Sequence, residues 1–67
     1  MPKPESRLSK TDRQARIVAE LRSTPALRVN ELAGLLAVSA ETARRDLAEL
    51  ADRGLINRTY GGAMRPV

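Results

Sequence analysis

The sequence predicts a mainly α domain, three helices closed by a small β-hairpin, and three observations predict it. Apolar residues recur at helical spacing in three separate stretches, around Ile17, Leu32 and Leu47. Only about three or four residues separate the second stretch from the third, the length of a helix-turn-helix turn. A β-type run over residues 55–59 then leads into the turn dipeptide Gly61-Gly62.

The first helix is expected to begin at Thr11. Its hydroxyl can cap free amides while Gln14 reaches back, the reciprocal arrangement of a capping box. Ile17, Val18 and Leu21 fall on one side, and Ser23-Thr24-Pro25 ends the helix. Leu27-Arg28-Val29 suffices only for a small strand. Asn30 is placed to cap a second helix with Leu32, Leu35 and Leu36 as its buried stripe. That helix stops near Ala37 and Val38, and Ser39 restarts the chain as the cap of a third helix over residues 40–53. Gly54 sits where a left-handed C-terminal cap belongs. Ala43, Leu47 and Leu50 face the core, so Glu41, Arg45, Ala48 and Asp52 point away from it, flanked by Thr42, Arg44 and Glu49. Residues 63–65 can return from the glycine turn as a second strand, which Pro66 would confine to an edge. Helix, strand, helix, helix, hairpin is the order of a winged helix-turn-helix. In that plan the third helix is held out for the DNA major groove and the hairpin, or wing, reaches the neighbouring backbone.

Composition narrows the chemistry. The 67 residues include no cysteine and no histidine, which removes disulfides and the usual metal ligands. No cofactor site is expected, and the familiar nucleophile–base pairings are missing, so an enzyme is not expected either. The core must be aliphatic and small. Twelve basic residues against eight acidic ones leave a net charge of +4, and ten of the cations are arginine. Arginine's planar fork suits phosphates and base edges, which makes a polyanion a candidate partner; a merely solvated basic surface is the plainer reading. No apolar run reaches the roughly 20 residues that span a bilayer, and residues 1–10 lack the apolar region of a secretory signal. The expected compartment is the cytoplasm, with no membrane partner. Residues 1–10 read as a flexible basic arm, 11–65 as the domain, and 66–67 as the start of a linker.

The specific signal is local. From Val38 the chain runs Val-Ser-Ala-Glu-Thr-Ala-Arg-Arg-Asp-Leu-Ala-Glu-Leu, and from Gly54 it runs Gly-Leu-Ile-Asn-Arg-Thr-Tyr-Gly-Gly-Ala. Together these resemble the signature of the DeoR family of bacterial transcription regulators. Arg13, Ile17 and Leu21 are similar to the family's first helix, and Val29-Asn30-Glu31-Leu32-Ala33 to its second. The resemblance covers residues 12–63 and departs in three places. Ala37 stands where glycine is common in the turn, so that turn must avoid positive φ or tolerate strain. Ala43 replaces a larger aliphatic residue, and Tyr60 replaces a histidine of the wing.

The resemblance implies double-stranded operator DNA as partner and transcription regulation, most often repression, as function. It implies that Ser39 caps the recognition helix and can meet a phosphate at its positive end. Glu41, Thr42 and Arg45 would project toward base edges and Arg44 toward the backbone. Arg58, Tyr60, Gly61 and Gly62 would set the wing on sugar-phosphate. Each residue also has a plainer reading. Glu41, Arg45, Glu49 and Arg53 can form a stabilising ladder of alternating charge. Tyr60 can cover the hairpin base, the glycines can be only a tight turn, and Asp46 is expected to orient an arginine or bond the backbone.

Regulators of this kind continue into a larger sensor domain that binds a phosphorylated sugar or similar metabolite and oligomerises. This chain, from Met1 to Val67, is therefore expected to be their DNA-binding piece, monomeric by itself, with effector site and homo-oligomer contacts outside it. Two rival readings remain. A winged-helix module for protein contact would expose an apolar patch on its third helix, where this chain has arginines. The regulatory domain of a bifunctional enzyme, such as a biotin ligase, would be followed by nucleotide-binding motifs.

Overall fold

The computed structural model describes residues 8–66; most of the expected basic arm, residues 1–7, and Val67 of the expected linker lie outside them. Within them the chain forms α1 (Lys10–Ser23), β1 (Ala26–Arg28), α2 (Val29–Leu36), α3 (Ala40–Asp52), β2 (Asn57–Thr59) and β3 (Gly62–Met64). The expected order of elements stands.

α1 starts earlier than Thr11. Ser9 is its cap, and the Ser9 hydroxyl accepts from the Asp12 amide at 3.1 Å. The expected capping box is not formed, because Gln14 shares the face of Ile17 and Leu21 and is buried with them. At the other end, Arg65 donates to the carbonyls of Leu21 and Arg22, each at 3.0 Å, and satisfies acceptors that a helix terminus leaves free.

α2 also starts early, at Val29. Arg28 rather than Asn30 stands at its cap, and the Arg28 amide donates to Glu31 Oε1 at 2.8 Å. The buried stripe becomes Val29, Leu32, Ala33 and Leu36, the i, i+3, i+4, i+7 spacing of one helix face. Leu35 falls off that stripe and is 44% exposed, contrary to expectation. The turn to α3 tolerates strain: Ala37 adopts φ 57° and ψ 45°, a left-handed conformation that costs an L-residue about 1–2 kcal/mol.

α3 is capped by Ser39, whose hydroxyl accepts from the Thr42 amide at 3.1 Å. Ala43, Asp46, Leu47 and Leu50 make its buried face. The helix closes through Gly54, at φ 76°, with Gly54 N–H bonded to the Ala51 carbonyl and Leu55 N–H to the Leu50 carbonyl. That pair of bonds is a Schellman motif.

The hairpin does not stand alone. β3 is the middle strand of an antiparallel sheet ordered β1-β3-β2, with Ala63 opposite both Leu27 and Arg58. Pro66 lies past β3 and confines nothing to an edge. Gly62 is buried, and a Cβ there would lie 2.2 Å from the Leu27 carbonyl oxygen, so its bare Cα is what lets β1 pair with β3. The Val29 amide donates to the Gly61 carbonyl at 2.8 Å and joins the start of α2 to the wing.

The core lies where the three helices meet the sheet. Ile17 and Leu21 of α1, Leu32 and Leu36 of α2, Leu47 and Leu50 of α3, and Ile56 before β2 are all essentially without solvent contact. Ala43 is fully buried on the same face as Leu47 and Leu50. With α3 anchored on that side, its opposite face is left to solvent.

Candidate nucleic-acid interface

The outward face of α3 carries the expected residues. The side chains of Glu41 and Arg45 are 75% and 73% exposed and face each other one turn apart, Arg45 Nη2 to Glu41 Oε2 at 3.5 Å. An exposed pair of this kind contributes about 0.2–1 kcal/mol, so either partner can leave it for a stronger one. Arg44 is exposed beside them, and among the described residues it has no carboxylate partner. Ser39 and Thr42 stand at the helix start, with the Ser39 hydroxyl donating to Thr42 Oγ1 at 3.1 Å. Amides of the first turn also point this way, giving the helix end a partial positive charge.

At the wing, Arg58 on β2 is exposed and likewise lacks a carboxylate partner among the described residues. Tyr60 is fully exposed at the turn and does not cover the hairpin base. Gly61 is exposed at φ 81°, whereas Gly62 is buried, so of the two only Gly61 presents surface.

The charge ladder is broken after its first rung. Glu49 turns to α1, accepting from Gln14 Nε2 at 3.0 Å and pairing with Lys10 Nζ at 3.0 Å. Arg53 donates to Gln14 Oε1 at 3.1 Å. The hydrogen bond from Gln14, aided by Lys10, holds the Glu49 carboxyl below its ordinary range. Asp46 orients an arginine, as expected: it is 2% exposed and accepts both Nε and Nη2 of Arg13, the latter at 3.0 Å. That fork pushes the Arg13 guanidinium still further up. Reading the sequence missed the roles of Gln14, Lys10 and Arg65. The usable signal was the position of Asp46, three residues from Ala43 and next to Leu47, which places a carboxylate on the core face and demands a cation opposite.

Among the described residues no His, Cys, Asp and Glu cluster could hold a metal ion, and no helix is long and apolar enough to cross a membrane.

A capped, arginine-bearing helix held outward by two others, beside a basic hairpin, defines a winged helix-turn-helix of the DNA-binding transcription-regulator class. The chain matches the DeoR-like helix-turn-helix domain over residues 13–66 and belongs to that family. It is 48% identical over 56 residues to the transcriptional repressor AccR of Agrobacterium fabrum, covering 84% of this chain and 22% of that protein. It is 39% identical over 56 residues to a lactose phosphotransferase system repressor of Staphylococcus epidermidis, covering 84% and 22%. A third relative, the HTH-type transcriptional regulator GlpR of Haloferax volcanii, is 45% identical over 53 residues, covering 79% and 21%. The chain therefore spans about a fifth of the length of these relatives. All three are transcriptional regulators rather than enzymes. No solved structure matches the chain.

Proposed function

We propose that this chain binds operator DNA sequence-specifically, with α3 in the major groove and the β2–β3 hairpin on the adjacent backbone. Glu41, Thr42 and Arg45 read base edges, while Ser39, Arg44, Arg58, Tyr60 and Gly61 contact sugar-phosphate, and Gly62 holds the wing in place from within the sheet. The single observation that carries this reading is the face of α3 opposite its buried stripe, where Arg44 and Arg45 stand in solvent. An apolar docking helix would expose hydrophobic residues there. Two of these three relatives bear the word repressor in their names, one of them of a lactose phosphotransferase system, and this supports repression of a sugar or metabolite operon in the cytoplasm. The phosphorylated effector and the homo-oligomer contacts belong to a sensor domain outside these residues. The chain by itself is then a monomer that binds one half-site weakly, lacking the roughly 10²- to 10⁴-fold gain of tethered half-sites.

Selection of bound sites from random-sequence duplex DNA tests the reading. Enrichment of one shared half-site is the expected result. Binding of every duplex alike would reduce the chain to a non-specific polyanion binder.

A further inference from the structure

Asp46, Gln14 and their partners form a polar seam between α1 and α3 that lies behind the outward face and touches no candidate DNA contact. Two successive turns of α3 and its C-cap, Arg53, take part. Asp46 accepts the Arg13 fork and, at 3.4 Å, Gln14 Nε2; Glu49 accepts from Gln14 and Lys10; Arg53 donates to Gln14. No buried side-chain nitrogen or oxygen among the described residues lacks a partner.

We propose that this seam fixes the rotation of α3 about its own axis, making Arg13 and Asp46 positioning residues for base discrimination by Glu41, Thr42 and Arg45. The inference rests on the DNA-binding reading above. Its physical basis is direction. Apolar contacts of Ile17, Leu21, Leu47 and Leu50 resist separation of the helices but set their rotation less sharply, because burial is not directional. The methyl group of Ala43, on the same buried face, adds little shape to lock the helix. A forked Arg–carboxylate bond, by contrast, is sensitive to both distance and angle. Reading groups must be held within about 0.5 Å and 10–20° of their productive geometry, a tolerance the seam can supply. Asp46 is also the immediate neighbour of Arg45, so any roll that shifts one shifts the other. Stability is a poor explanation for the seam, since a buried ion pair is often no better than an apolar pair of the same size.

That comparison supplies the test. The double substitution Arg13→Met with Asp46→Leu keeps net charge and fills the seam with apolar volume. Binding is measured for wild type and variant on the half-site that the wild type selects and on unrelated duplex, with thermal unfolding recorded in parallel. The expected variant is folded, with unchanged affinity for unrelated DNA and a specific-to-unrelated ratio at least about tenfold lower. Should the double variant fail to fold, Arg13→Lys, which keeps the charge but loses the fork, carries the same measurement with the same expected direction. A folded variant that keeps the wild-type ratio overturns the inference alone. So does an equal fall in affinity for both DNAs. A wild type that prefers no sequence overturns the DNA reading and this inference together.

Discussion

At Gly62 the obstacle to any side chain is main chain: an added Cβ would lie 2.2 Å from the Leu27 carbonyl oxygen and 2.9 Å from the Arg28 Cα. Neither atom can rotate away. Gly62→Ala is expected to cost about 3 kcal/mol or more, because it must part β1 from β3. Gly61→Ala meets open space and suffers only its left-handed φ, about 1–2 kcal/mol. Thermal unfolding of the two variants checks the order, and a milder effect at Gly62 would mean that β1 is not held as described. The pair was legible in the sequence as a turn. Which glycine makes the turn and which admits a neighbour was not, since β1 lies far upstream. Arg45 and Arg58 separate in a similar way. Arg45→Ala should cost about 1–3 kcal/mol on the selected site and relax the preference at one base pair, as loss of a forked guanine contact does. Arg58→Ala should weaken all sequences alike. Measuring both on every single-base variant of the half-site decides between reader and clamp; reversed behaviour would exchange their roles.

Among the elements, the turn between α2 and α3 holds the clearest reserve of stability. Ala37 is left-handed, so Ala37→Gly removes about 1–2 kcal/mol of strain and returns part of it as added freedom of the unfolded chain. A net gain of about 0.5–1 kcal/mol is expected, raising Tm by several degrees in a domain this small. An unchanged or lower Tm would show that the turn is not strained. The packing of α1 on α3 gives a second test. With its pKa held below the ordinary 4.5, Glu49 contributes stability that is present above that pH and lost as pH falls through the lower folded value. Glu49→Gln should therefore shrink the difference in urea midpoint between pH 6 and pH 3, and an identical acid loss would remove Glu49 from it. Arg13, raised instead, stays charged throughout the ordinary pH range and adds nothing to that acid loss. Helix existence was legible from spacing, and the end of α3 from Gly54. The start of α1 was not, because Ser9 and Thr11 are both able caps and only the burial of Gln14 on α3 decides between them. Leu35 misled because the buried stripe runs through Val29 and Ala33 as well as Leu32 and Leu36, which centres it away from Leu35.

For the molecule as a whole, the arrangement of charge matters more than its total. Behind the net +4, some cations are already committed within the fold: Arg13 and Lys10 to carboxylates of α3, Arg65 to the end of α1. Arg28, Arg44 and Arg58 are exposed and have no carboxylate partner among the described residues, while Arg45 holds only a loose one. This division was not legible in a count of charges, because the pairing joins helices distant in sequence. The Arg-Arg-Asp-Leu run nonetheless contained it: two arginines that face outward and a carboxylate that faces in. Counterion release turns the division into a measurable slope. If about four to six phosphates are neutralised by these outward arginines and the basic residues before α1, log K should fall against log salt with a slope of about −4 to −5. Arg58→Ala should make that slope shallower by about 1. Arg13→Lys should leave it unchanged, since its charge faces Asp46 rather than DNA. Titrations of one duplex at several salt concentrations measure all three proteins. A wild-type slope near zero would point to a protein partner. A slope that Arg58→Ala leaves intact would place the wing off the DNA and leave α3 to bind alone.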